Sequence, residues 1–181
     1  MPVDMSLTEN EGSLLGVIVR LEPLSSYQLI KVFEESPVAK FNNSKGAVYP
    51  QVRRLKARGF LETATTPDDK KASELVKTTD LGREALRLWV QDINHDHTFL
   101  PDPIRTRMML LDLLSKDEQI AWIVDMRRLL EEKKREVEEF AEKTVLPFGG
   151  VVHASAIAGL DVKIEYVDRL LRRIVRPGGP H

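Results

Sequence analysis

The chain contains no cysteine. That excludes a disulfide framework, thiol chemistry and Cys-ligated zinc, and it suits a reducing compartment. No apolar run approaches the roughly 20 residues a membrane span needs. The first residues, Met1 to Met5, lack the basic and apolar regions of a secretory signal, so a cytoplasmic location is expected. No Gly-rich phosphate loop and no nucleophile motif occurs, so no enzyme is expected. An excess of either charge is also lacking: 27 Lys and Arg stand against 28 Asp and Glu in 181 residues, a net charge of −1. What is present is an apolar fraction of 42% with 30% charged residues, a globular composition in one large or two small domains.

Only 6% of residues are aromatic, and apolar positions recur three and four apart. That spacing predicts a mostly α protein. Thr8 with Glu11 forms a capping box opening a first helix, with Leu14, Leu15 and Ile18 inside and Pro23 at its end. Ser25 with Gln28 opens a second helix, stapled by Leu24 and Leu29 and stopped by Pro37. A third begins at Asn43 or Ser44 and runs to Gly59, expected at its C-terminus.

Residues 60–63 and 74–78 then read as a hairpin across the Pro67-Asp68-Asp69 turn. A fourth helix from Thr79 or Asp80 carries Leu81, Ala85, Leu86, Trp89, Val90 and Ile93 inward. Residues 94–103 read as a linker. Asp102-Pro103 starts a short helix holding Ile104, Met108, Leu111 and Leu114. The box Ser115 to Glu118 opens a helix extending toward Pro147. Its partial heptad pattern has Ile123, Leu130 and Val137 in one seam and Lys133 interrupting the other. Pro147 and Gly149-Gly150 break that helix before a last amphipathic one. The domains expected are therefore 1–93, the linker 94–103, and 104–181.

One absence is local. Between Ser36 and Leu61 there is no Asp or Glu, yet six cations fall there: Lys40, Lys45, Arg53, Arg54, Lys56 and Arg58. On a helical wheel Val48, Val52 and Leu55 share the core face. Gly46, Tyr49 and Arg53 lie opposite, flanked by Lys45 and Lys56. Such a face suits a helix in the DNA major groove, where phosphates need cations and base edges need donors. A basic solvated helix is the plainer reading. The order helix, helix, basic helix, hairpin, helix is that of a winged helix-turn-helix, which favours DNA. Lys70 and Lys71 stand at the wing tip, weakened as a phosphate anchor by Asp68 and Asp69. Pro50 lies inside the third helix, and a bent or locally opened helix start is expected there.

At these residues the sequence resembles the PadR family of transcriptional regulators. The resemblance rests on Leu14-Leu15-Gly16, on Pro23 to Leu29, on Phe33 to Ser36, and on Asn43-Ser44-Lys45-Gly46-Ala47-Val48-Tyr49-Pro50. Arg54-Leu55, Gly59-Phe60-Leu61 and Thr79 with Gly82 complete it. It covers about residues 8–92 and is carried beyond them by architecture alone, as in the longer PadR type. It implies an N-terminal winged helix-turn-helix of three helices, a β-hairpin wing and a fourth helix, with a helical C-terminal dimerisation domain. It implies a homodimeric repressor of a double-stranded DNA operator, released by a small-molecule effector of phenolic or aromatic kind. Ser44, Lys45, Tyr49 and Arg53 would face the groove beside Asn43 and Lys56, with Tyr27 and Lys70 or Lys71 on phosphates. Ala72-Ser73-Glu74 departs from the arginine-rich wing of the family.

Two further features are weighed against plain packing. Trp89 and Trp122 are candidates for an effector site of the kind such regulators carry near the domain junction, while core tryptophan is the commoner role. His95-Asp96-His97 has weak metal spacing and reads better as a polar hinge, so no metal or cofactor is expected. The alternative function is a helical adaptor whose winged module binds protein; an acid-free window at 36–61 is not required of it.

Overall fold

The computed structural model describes residues 4–37, 45–64, 74–98, 102–143 and 147–176. The chain divides into two compact units, Met1–Phe99 and Leu100–His181. Among the described residues no helix is long and apolar enough to cross a membrane.

The first unit holds α1 (Glu9–Leu21), β1 (Leu24–Ser25), α2 (Ser26–Glu35), α3 (Lys45–Ala57), β2 (Leu61–Ala64), β3 (Leu75–Thr78) and α4 (Asp80–Gln91). Both expected capping boxes form. The Glu11 amide donates to Thr8 Oγ1 at 3.3 Å and the Thr8 amide to Glu11 Oε2 at 3.1 Å. The Ser25 amide donates to Gln28 Oε1 at 2.8 Å. Each pair satisfies amides that a helix start leaves without partners. Leu14, Leu15, Ile18, Leu29, Leu55 and Phe60 are fully buried and join Val48, Val52 and Val76 in one core. Complete burial of such a side chain stabilises the fold by roughly 1.5–3 kcal/mol.

The hairpin β2–β3 is antiparallel, pairing Leu61 with Thr78 and Thr63 with Val76. A third strand was not foreseen: β1 pairs with the other edge of β3, Leu24 opposite Val76, giving the order β1-β3-β2. The turn of the hairpin, with Lys70 and Lys71, lies outside the described residues, as does the expected start of α3 at Asn43 and Ser44.

Three other expectations are corrected in this unit. Helix α3 is not opened at Pro50 but runs unbroken from Lys45 to Ala57. Burial of Val48, Val52 and Leu55 on its inner face offsets the missing hydrogen bond. Ile93 lies beyond the end of α4 and is 83% exposed, and Val90 is exposed too. The helix faces inward through Leu81, Gly82, Ala85, Leu86 and the half-buried Trp89. Within 94–103, residues His95–His97 form a single 3-10 turn capped by Asn94.

The second unit holds α5 (Pro103–Met108), α6 (Lys116–Lys143) and α7 (Gly149–Val175). Asp102 caps α5, whose proline stands at the start where no amide is required. That helix ends at Met108, and Leu111–Leu113 form a separate 3-10 turn. Arg127 meets Asp168 at 2.9 Å, Lys134 meets Asp161 at 2.7 Å, and the Phe140 ring stands edge-on to His153. Partners fall in number on α7 as they rise on α6, so the two helices are antiparallel. Ile123, Leu130 and Val137 form the α6 side of a seven-residue seam. On α7 the seam runs through His153, Leu160, Val167 and Ile174. The helix is broken between Lys143 and Gly149 as expected, with Gly149-Gly150 forming the first turn of α7 rather than part of the break. There the amides have no intrahelical partner in any case, and glycine loses no side-chain packing.

Candidate nucleic-acid interface

Helix α3 has two faces of opposite character. Val48, Val52 and Leu55 are at most 5% exposed. Gly46, Tyr49, Pro50, Arg53 and Ala57 form an exposed stripe on the other side. Tyr49 is 55% exposed, and no ion pair engages Arg53 among the described residues. A phenol hydroxyl and a guanidinium thus stand one helical turn apart on an open face, free to meet hydrogen-bonding groups outside the protein.

The remaining cations of the acid-free window are used differently. Lys56 Nζ lies against Glu74 and donates to Thr63 Oγ1 at 2.8 Å, which joins α3 to the base of the hairpin. The Glu74 carboxyl is held below the usual carboxylate range by its bonds to Lys56 and Thr63. Arg58 donates to the Asp4 carbonyl at 3.1 Å and to the Ser6 carbonyl, lies 3.4 Å from Glu11, and stacks 4.6 Å from the Phe60 ring centre. Arg54 Nε is 3.6 Å from Glu11 Oε1 while its side chain stays 61% exposed. Sequence counting therefore overstated the charge offered outward. Acids from outside the window fold back onto three of its six cations.

Glu11 is the residue that sequence reasoning understood only in part. Its side chain is 7% exposed, and one carboxylate caps α1 and reaches both Arg54 and Arg58 near the end of α3. The far end of α3 is fixed by a second set of contacts. Gly59 has a φ of +78°, the left-handed conformation that suits glycine after a helix. The Thr79 hydroxyl donates to the Gly59 carbonyl at 2.6 Å and accepts from the Gly82 amide at 3.0 Å. A Cβ on Gly82 would sit 2.1 Å from the Phe60 carbonyl oxygen. The spaced Gly59, Thr79 and Gly82 of the sequence are thus one junction between α3, the hairpin and α4.

The other candidate residues fall as follows. Tyr27 lies in the first turn of α2 and is 68% exposed. Lys45 opens α3. Asn43, Ser44, Lys70 and Lys71 lie outside the described residues. Trp89 packs on α1 over Gly12, where an added Cβ would meet the indole at 2.3 Å, and its Nε1 donates to Glu9 Oε1 at 3.3 Å. Trp122, in the other unit, packs against the Ile123, Leu130 and Val167 cluster. His97 Nδ1 accepts from the Asn94 amide at 3.3 Å, and its Nε2 lies 3.6 Å from Glu9. Among the described residues no group of three His, Asp or Glu is placed to hold a metal ion.

Residues 14–88 match the model of the transcriptional regulator PadR-like family. No curated protein matches the chain in sequence. Among solved structures, PadR of Bacillus subtilis in complex with operator DNA is similar, with 20% identity and a TM-score of 0.77 over 92% of this chain and 99% of that one. The PadR-like regulator BC1756 of Bacillus cereus has 20% identity and a TM-score of 0.75, over 92% and 98%. Bacillus subtilis PadR in complex with p-coumaric acid has 19% identity and a TM-score of 0.73, over 92% and 98%. These likenesses span both units and show the fold. The match over 14–88 takes in the C-terminal part of α1, the capped α2, the two-faced α3 and the junction at Thr79 and Gly82, and over those residues the chain is similar to the PadR-like family of transcriptional regulators.

Proposed function

We propose that the chain is a homodimeric repressor that reads a double-stranded DNA operator with α3 and releases it on binding a small-molecule effector. The observation that carries the DNA reading is the exposed Tyr49 and Arg53 stripe, backed by a fully packed inner face. A rigid helix with donors on one side meets the requirement of major-groove readout, in which each good bidentate pair contributes roughly 1–3 kcal/mol of discrimination. Asn43, Ser44 and Lys45, which precede that stripe in sequence, are assigned to the groove with Lys56, and Tyr27, Lys70 and Lys71 to phosphates. The operator-bound relative supports this reading, and the relative bound to p-coumaric acid supports an effector.

Residues 1–93 are assigned to DNA, 94–103 to the connection and 104–181 to dimerisation. Exposed Val124 and Leu129 on α6 and Val151 and Val152 on α7 supply apolar surface for a second copy. Two copies double the outward charge and set half-sites about one helical turn apart.

The test is the double variant Tyr49→Ala with Arg53→Ala. Binding to DNA upstream of the gene should be lost in an electrophoretic shift, with the dimer intact by sedimentation. Unchanged operator affinity in that variant removes α3 from the interface.

A further inference from the structure

Two carboxylates from outside the acid-free window border the exposed stripe of α3. Lys56 stands two turns beyond Tyr49 and Arg54 one turn beyond Pro50, so these cations lie along opposite edges of the stripe. Each is held by an acid from elsewhere in the fold. Glu74, just before β3, takes Lys56, and the Thr63 hydroxyl donates to its Oε1 at 2.8 Å. Glu11, from α1, lies 3.6 Å from Arg54 Nε and 3.4 Å from Arg58.

The three cations differ in how far they are committed. Arg58 is anchored: it donates to the Asp4 and Ser6 carbonyls and stacks on the Phe60 ring. Arg54 has a side chain 61% exposed, and among the described residues Glu11 is its one ionic partner. Lys56 is joined to Glu74, whose carboxyl stays ionised near neutral pH because Lys56 and Thr63 hold it below the usual range. A phosphate takes Arg54 or Lys56 only in competition with these carboxylates. Neither cation therefore adds its full charge to the attraction of this face for DNA.

We propose that Glu11 and Glu74 are specificity-determining residues, which lower the affinity of the chain for DNA of any sequence by competing with phosphates for Arg54 and Lys56. The inference rests on the DNA reading of α3 given above. Phosphate contacts carry no sequence information, whereas contacts to base edges do. A non-operator complex is free to settle wherever a released cation meets a phosphate, while an operator complex is fixed by its base contacts. Acids at the edges of the stripe therefore weaken non-operator binding more than operator binding.

The experiment is a fluorescence-anisotropy titration of the full chain, across a salt series, with the duplex upstream of its gene and with a scrambled duplex of equal length. Glu74→Gln and, separately, Glu11→Gln should bind the scrambled duplex more tightly than the parent does. One released cation per protomer steepens the log–log salt slope of a dimer by about two, so the gain should grow roughly tenfold as salt falls from about 200 to about 50 mM. The preference for the upstream duplex should fall with it. Adding Arg54→Gln should cancel the gain of Glu11→Gln, which a merely loosened fold would not allow. Glu84→Gln frees Arg87 on α4, makes the same change in net charge away from α3, and should leave scrambled binding at the parental level. Glu74→Gln alters an exposed side chain and carries the test alone if Glu11→Gln loses helicity. Parental affinity and slope on the scrambled duplex in either folded variant overturn the proposal, and so does an equal gain in Glu84→Gln. A parent that binds neither duplex refutes the DNA reading itself.

Discussion

Gly82 offers the strongest steric prediction in the first unit. Replacing it by alanine places a Cβ 2.1 Å from the Phe60 carbonyl oxygen and 3.0 Å from both the Phe60 carbonyl carbon and Thr78 Cγ2. The nearest of these is backbone, so no side-chain rotation relieves it, and α4 has to move by about an ångström relative to the start of the hairpin. That movement strains two bonds made by Thr79, its amide to the Phe60 carbonyl at 3.1 Å and its hydroxyl to the Gly59 carbonyl at 2.6 Å. Overpacking costs roughly 1–3 kcal/mol and each weakened bond up to about 1 kcal/mol, against a helix-propensity gain of at most about 1 kcal/mol. The net is a loss of about 2–3 kcal/mol, or roughly 10–20 °C in Tm for a unit of this size.

Gly16 supplies the opposite sign. It lies inside α1 with nothing within 4 Å of an added Cβ, so Gly16→Ala should gain up to about 1 kcal/mol. In a Trp122→Phe background the remaining indole, Trp89, reports unfolding of the first unit by fluorescence. A Gly82→Ala protein that melts at or above its parent, or a Gly16→Ala protein that melts below it, would refute the steric argument.

Two further outcomes are expected in the same unit. Glu11→Ala removes the α1 cap and the anion beside Arg54 and Arg58, and should cost about 2–3 kcal/mol by urea unfolding. Glu11→Gln keeps an acceptor for the Thr8 amide and should cost only about 1 kcal/mol; a Gln variant as stable as the parent would show that the charge toward α3 contributes nothing, and losses equal to those of Glu11→Ala that the acceptor contributes nothing. At Glu22, burial raises the carboxyl but hydrogen bonds from Thr78 and the Arg83 guanidinium outweigh it, so its folded pKa lies below the ordinary value. The stability it contributes is complete above about pH 5 and is lost as pH falls from the ordinary glutamate value, about 4.3, through the folded one. Glu22→Gln should therefore flatten the acid limb of the stability profile, and a limb as steep as the parent's would contradict this.

What the sequence made legible follows from range. Thr8 with Glu11, Ser25 with Gln28, Asp102 with Pro103 and Ser115 with Glu118 all act within one turn, so spacing alone located four helix starts. The inner face of α3 was legible because Val48, Val52 and Leu55 repeat at helical period. Strand β1 was not, because Leu24 and Ser25 become a strand only by pairing with Val76 and Leu75 some 50 residues away. The charge window misled for a related reason. Its count of six cations was correct, but Glu11 and Glu74, which neutralise part of it, lie 47 and 18 residues from their partners Arg58 and Lys56. Local pattern identified the helix; tertiary contacts decided which of its cations face outward.

The central claim, that α3 carries the chain onto DNA, is tested most directly by the salt dependence of its binding to the DNA upstream of its gene. A dimer contacting two or three phosphates per protomer should lose affinity with a log–log slope of roughly −4 to −5. Arg53→Ala should weaken binding at every salt concentration. A slope near zero, or an Arg53→Ala protein that matches the parent across the whole series, would contradict the account.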